Sequence, residues 1–207
     1  EAEIHDSARL DLNEVLDILI PAAKAGKRVV RLHTGDPSVY GAHREQMDAL
    51  KAAGVPFAVC PGVSSFFGAA ASLGAEYTLP GVSQTVILTR AAGRTAVPEK
   101  ERLSALAAHG ASMVLFLSAG RVAEAVSELL AGGYYTNETP AAVVYKATWP
   151  DERILRTTLG ELAKDAEAAG ITKTALLLIG DFLGETYENS KLYDPRFTTE
   201  FREGKQA

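Results

Sequence analysis

Two runs of turn residues hold most of the groups in this 207-residue chain that could do chemistry. The first, Gly35-Asp36-Pro37, follows the apolar run Val29 to Leu32. The second, Pro61-Gly62-Val63-Ser64-Ser65, follows Phe57 to Cys60. Both apolar runs have the length of buried strands. Pro37 and Pro61 break them, because proline fixes φ and cannot donate to a sheet ladder. Backbone amides, two hydroxyls and one carboxylate then stand at strand ends, where open α/β sheets hold their ligands. Asp36 is free there to accept hydrogen bonds from a ligand. Its plainer alternative is a helix N-cap in an ordinary strand-to-helix turn. Ser118-Ala119-Gly120 is a third run of this kind. Such groups suit a polar cofactor held without metal or covalent chemistry.

Arg90 and Arg94 flank the loop Ala91-Ala92-Gly93. A local pair like this can hold an anionic small molecule through charge-assisted hydrogen bonds. Solvated loop arginines are the alternative. The chain as a whole carries a net charge of −5, which argues against a nucleic-acid surface. The histidines His5, His33, His43 and His109 show neither HxxxH nor HExxH spacing, so no metal site is expected. No GxSxG elbow, phosphate loop or GxGxxG fingerprint occurs. A single cysteine, Cys60, excludes a disulfide framework and reads as a buried, inert thiol. With 47% hydrophobic and 23% charged residues, the composition is that of a globular chain with a sizeable core. No apolar run reaches the roughly 18 residues of a membrane span. The first residues are acidic and polar, unlike a secretory signal, and a cytoplasmic location is expected.

The elements that must position these groups follow from periodicity and turn signals. Asp11 and Glu14 form a capping box for a helix ending at Gly26. A strand over Val29 to Leu32, the turn, and a helix from about Tyr40 to Gly54 come next. A strand over Phe57 to Cys60 leads into a helix rich in small residues, Gly68 to Ala71, that stops at Gly74. Leu79-Pro80-Gly81 is the expected linker. Beyond it come strands over Val82 to Thr89 and Met113 to Leu117, and helices over Glu99 to His109 and Val122 to Leu130. A hairpin joins Ala141 to Lys146 with Arg153 to Thr158 across Trp149-Pro150-Asp151. A helix over Glu161 to Ala169 precedes a last strand, Ala175 to Ile179, and a polar tail from about 185 that should fray. The result is an α/β chain in two blocks, 1–80 as the remainder of an N-terminal α/β domain and 81–207 as a C-terminal one. The first block has only two strands, too few for a stable parallel sheet. Either the second block completes it or an N-terminal βα unit is missing.

Thr34 to Gly41, then Pro61 to Ser65, at this separation resemble the tetrapyrrole methylase family. Ser83 to Arg90, with Gly93-Arg94-Thr95 and Pro98-Glu99, looks like the subgroup that methylates C11 of precorrin-4 or cobalt-precorrin-4, as does Glu3 to Ala8. The resemblance runs to about Gly184. It implies two α/β domains with S-adenosylmethionine in a cleft between them, an anionic tetrapyrrole substrate and a homodimer. It departs from the family pattern at one place, since the opening strand and GxGPGDxxLLT loop do not occur. The chain therefore looks like a member that begins after its first βα units.

Position by position, the resemblance implies cofactor contacts at Thr34, Gly35, Asp36 and Val39, at Ser64 and Ser65, at Leu117 or Ser118, at Ala147, and at Thr174 and Ala175. Arg90, Arg94, Arg44, Arg121 and Lys146 are the candidates for holding substrate carboxylates, with His33 beside them. His33 and Tyr40 are the candidate bases. The rival readings are a sibling methylase acting on another ring carbon, relatives that methylate diphthamide precursors or ribosomal RNA, and a truncated, non-catalytic ligand-binding or dimerisation module.

Overall fold

A computed structural model describes residues 2–205. The chain divides into two compact units, Glu1–Ser65 and Phe66–Ala207.

The first unit carries two helices, α1 (Leu12–Lys24) and α2 (Arg44–Ala52). The capping box starts α1: Glu14 N donates to Asp11 Oδ1 at 2.9 Å, and Asp11 N donates to Glu14 Oε2 at 2.8 Å. Val15 and Leu19 are the buried side chains of α1. Several sequence expectations fail in this unit. Val29 to Leu32 and Phe57 to Cys60 are not strands, and Val30 and Leu32 are 70% and 79% exposed. A strand exists only through ladder partners, and among the described residues of this unit no third segment offers them. Cys60 is exposed rather than buried for the same reason. The helix after the turn begins at Arg44, not near Tyr40, because Tyr40 and Ala42 take left-handed φ values of 56° and 47°.

The second unit holds α3 (Ser65–Leu73), whose first residue is the last of the first unit, and a five-stranded sheet. The strands are β1 (Val86–Arg90), β2 (Ser112–Phe116), β3 (Pro140–Tyr145), β4 (Arg153–Thr158) and β5 (Ala175–Ile179). Their order is β1-β2-β5-β3-β4. β1 pairs with β2 in parallel, β5 runs antiparallel to both of its neighbours, and β3 and β4 form the expected hairpin. The helices α4 (Leu103–Ala107), α5 (Val122–Ala131) and α6 (Leu162–Ala168) supply the other layer. Leu103, Leu129 and Leu162 pack with Met113, Leu115, Val143, Leu177 and Ile179 into one core. The helix expected over Glu99 to His109 is broken, since Arg102 takes an extended ψ of 145° between a short 3₁₀ turn and α4.

Leu79-Pro80-Gly81 lies inside this unit, where the Pro80 carbonyl accepts from Glu188 N at 3.1 Å. The tail is folded on itself rather than frayed. Arg202 Nη2 donates to the carbonyls of Leu192 and Asp194 at 2.8 Å. Arg196 pairs with Asp194 at 3.0 Å and, with its backbone N–H, lowers the Asp194 carboxyl to about 2. Among the described residues no helix is long and apolar enough to cross a membrane.

Candidate functional site

In the first unit the two turn motifs meet. Gly35, at φ 64°, packs on the second turn so closely that a Cβ there would lie 3.5 Å from Ser64 Cα and Ser65 N. A Cβ on Gly62 would strike the Gly35 carbonyl oxygen, so only glycine fits. Asp36 staples the pair. Its Oδ2 accepts from Gly62 N at 2.7 Å, and its Oδ1 accepts from Ser38 N at 2.8 Å. Gly35, Asp36, Ser64 and Ser65 are thus brought together, with Val39 closing the same turn onto the Asp36 carbonyl. The expectation of a free carboxylate at Asp36 is corrected here, because both oxygens already accept from backbone amides. Ser64 is buried beside the start of α3.

The Gly62 N–H, then the Ser38 N–H, hold the Asp36 carboxyl below the usual aspartate value of 3.8. A depressed folded-state value means the contribution to stability is complete above pH 3.8 and is lost as the pH falls through that folded-state value. Acid titration followed by the amide resonance of Gly62 is expected to move in that window below 3.8. In Asp36→Asn the movement is absent.

In the second unit four strand ends gather. The register sets Arg90 beside Phe116, Leu115 opposite Leu177, and Tyr145 opposite Ala175. Leu117, Lys146 and Thr174, which adjoin these strands, therefore share one end of the sheet. All three have left-handed backbones, with φ of 53°, 49° and 55°. Left-handed backbone in non-glycine residues is strained and marks sites where the surroundings over-determine the chain. The Thr174 carbonyl accepts from Lys146 N at 2.9 Å, fixing β3 against β5. Ala147 follows, half-buried, and Ala175 is buried.

Leu117 and Ser118 differ in burial. Ser118 is fully buried, and its hydroxyl accepts from Ala91 N and donates to the Phe116 carbonyl. It ties β1 to β2. Leu117 is 75% exposed and is the side chain presented outward.

Four of the five candidate cations already have partners within the chain. Arg90 donates to the carbonyls of Ala91, Thr95 and Ala96 and so builds the loop 91–98. Arg44 pairs with Asp48 at 3.0 Å, Arg121 with Glu124 at 3.6 Å, and Lys146 with Asp151 at 2.5 Å. Lys146 Nζ also lies 5.2 Å from both the Tyr145 and Trp149 rings. Arg94, exposed in the loop that Arg90 shapes, has no side-chain partner among the described residues. Arg90→Lys is expected to loosen the loop, since one ammonium cannot span three carbonyls. Tryptic cleavage after Arg94, followed by mass spectrometry, should accelerate on the order of ten-fold.

Of the candidate bases, His33 is half-buried and 6.2 Å, ring to ring, from His43. Desolvation, then Arg31 and His43, hold its basicity below the ordinary value, which favours the neutral form a base requires. Tyr40 is partly exposed on its left-handed backbone.

Sequence reasoning missed Ser38 and Gly62 as partners of Asp36, and Ser72 and Glu152 as partners of each other, at 2.7 Å. The Gly62 signal was present, as a glycine after a proline. The Ser72–Glu152 contact spans 80 residues and leaves no local signature.

Comparison with known proteins gives a consistent result. The family model described as Tetrapyrrole (Corrin/Porphyrin) Methylases matches residues 1–163. The cobalt-precorrin-4 C(11)-methyltransferase of Methanocaldococcus jannaschii is 52% identical over 202 residues, covering 97% of this chain and 78% of the relative. A crystal structure of a cobalt precorrin-4 methyltransferase of cobalamin biosynthesis superposes with a TM-score of 0.86 at 47% identity, over 89% of this chain and 77% of the other. The uroporphyrin-III C-methyltransferase of Thermus thermophilus, solved with S-adenosylhomocysteine, gives a TM-score of 0.69 at 28% identity, over 83% and 74%.

Proposed function

The chain belongs to the tetrapyrrole (corrin/porphyrin) methylases, and we propose that it transfers the methyl group of S-adenosylmethionine to C11 of precorrin-4 or cobalt-precorrin-4 in cobalamin biosynthesis. The observation that carries this reading is the 52% identity, along 97% of the chain, to a C11-methyltransferase. The geometry fits a cofactor of this chemistry. The stapled turns at Gly35-Asp36 and Gly62-Ser65 offer backbone and hydroxyl groups to an amino-acid and ribose part. Within the second unit by itself, the left-handed strand ends at Leu117, Lys146 and Thr174 offer backbone groups, beside the small side chains of Ala147 and Ala175, of a kind suited to a flat base.

The sulfonium supplies an electrophilic methyl with a good leaving group attached. Bound there, S-adenosylmethionine would supply that methyl to the ring carbon and leave as S-adenosylhomocysteine. The residues of this chain hold and align the two partners, a proximity effect. Arg94 is the cation best placed to take a substrate carboxylate, while Arg90 keeps the loop in shape. His33, held neutral, is the candidate for receiving a proton. We further place the enzyme in the cytoplasm as a homodimer. Sedimentation at micromolar concentration should give twice the chain mass.

Transfer of labelled methyl groups tests the reading against precorrin-4, its cobalt form and precorrin-2. Incorporation into either precorrin-4 species is the expected result. Incorporation into precorrin-2 alone would overturn the assignment to C11.

A further inference from the structure

We propose that Glu152 is a positioning residue, whose carboxylate fixes the turn after β3 in the shape that presents Ala147 to the cofactor. The inference rests on the cofactor reading above and extends it to a residue that acts through the backbone it holds. The turn runs from Lys146 to Glu152 and closes the β3–β4 hairpin. Two of its residues, Lys146 and Thr148, are left-handed, and Thr148 is β-branched, the class of side chain least suited to that backbone. Something must hold them there. Glu152 Oε2 accepts from Thr148 N at 2.5 Å and from Ser72 Oγ at 2.7 Å.

Ser72 lies in the last turn of α3. One turn earlier, Gly68 lets the loop rest on the helix. A Cβ there would lie 3.2 Å from Thr148 Cγ2 and 3.7 Å from Ala147 Cβ. The turn is therefore seated at Gly68 and bolted at Ser72 through Glu152. The Thr148 N–H and then Ser72 hold the Glu152 carboxyl below the ordinary glutamate range, so it is ionised at neutral pH. Among the described residues no cation pairs with it. An ionised carboxylate spent on one backbone amide and one hydroxyl across 80 residues sets loop geometry rather than surface charge.

Trp149 is the only tryptophan in the chain and sits in this turn, so its fluorescence reports the turn directly. The experiment uses the full 207-residue chain. In Glu152→Ala the anisotropy of Trp149 falls and its quenching by acrylamide rises. S-adenosylhomocysteine binding, measured by calorimetry, weakens by about ten-fold, as expected for losing a hydrogen bond to a charged group. The melting temperature falls by no more than about 4 °C. Glu152→Gln keeps an acceptor oxygen and returns the affinity to within about three-fold of the parent, and Ser72→Ala falls between the two. Parental affinity in Glu152→Ala overturns the inference alone. No detectable binding by the parent chain overturns the cofactor reading and the inference with it.

Discussion

Asp36→Ala weakens S-adenosylmethionine binding by about a hundred-fold, while Arg94→Ala leaves that affinity within about three-fold and raises the KM for the tetrapyrrole instead. The first effect comes from what Asp36 holds. Its two oxygens take the Gly62 and Ser38 amides, so the carboxylate is what keeps the two turns face to face. Losing two charge-assisted hydrogen bonds together accounts for an effect of about a hundred-fold. Removing the side chain leaves two amide donors without acceptors in the turns proposed to hold the cofactor. Arg94 has no structural duty of that kind and stands in the loop that Arg90 builds. On the proposed reading, its loss removes one charge-assisted contact to a substrate carboxylate. Calorimetry with S-adenosylhomocysteine and steady-state kinetics with the tetrapyrrole separate the two. Equal losses of cofactor affinity in both variants would refute the division.

Leu177→Ala destabilises the second unit by about 3 kcal/mol, lowering the melting temperature by about 6–12 °C. Leu177 is fully buried at the middle of β5, the central strand of the sheet, with Leu115 on one side and Val143 on the other. β-strands on both sides leave little room for the cavity to collapse, so the cost is not expected to fall below about 3 kcal/mol. The sheet end that carries Leu117, Lys146 and Thr174 depends on the same strand, so cofactor affinity should fall along with stability. Thermal unfolding followed by circular dichroism measures it. A shift under about 2 °C would mean that β5 is not the centre of the fold.

The local part of this architecture was legible from residues alone. The Asp11–Glu14 box, the glycine stops at Gly26, Gly54 and Gly133, and the hairpin across Trp149 to Asp151 each rest on neighbours within a few positions, and all are present. Pairing was less legible. Val29 to Leu32 and Phe57 to Cys60 have the composition of strands, yet composition does not supply a ladder partner. The site divides in the same way. The two turn motifs could be seen, but their stapling through a contact across 26 residues could not. Ser118 has the right type of side chain but turns it inward to tie β1 to β2. Arg90 reads as a ligand-holding cation and is instead spent on its own loop. The left-handed residues are the hardest class, because nothing short of a glycine announces such a backbone in sequence.

Those left-handed residues bear on how the protein can change. Each costs about 1–2 kcal/mol relative to an ordinary conformation, against a total stability of about 5–15 kcal/mol for a typical domain. Leu117, Lys146, Thr148 and Thr174 together therefore tie up a large share of the margin in one corner of the second unit. Selection for heat resistance alone would find gains by relaxing them. On the proposed cofactor reading, selection for turnover would resist the same changes. Heat-adapted variants of this enzyme are expected to gain their stability elsewhere, at helix termini and in the tail, and to leave these four backbones as they are.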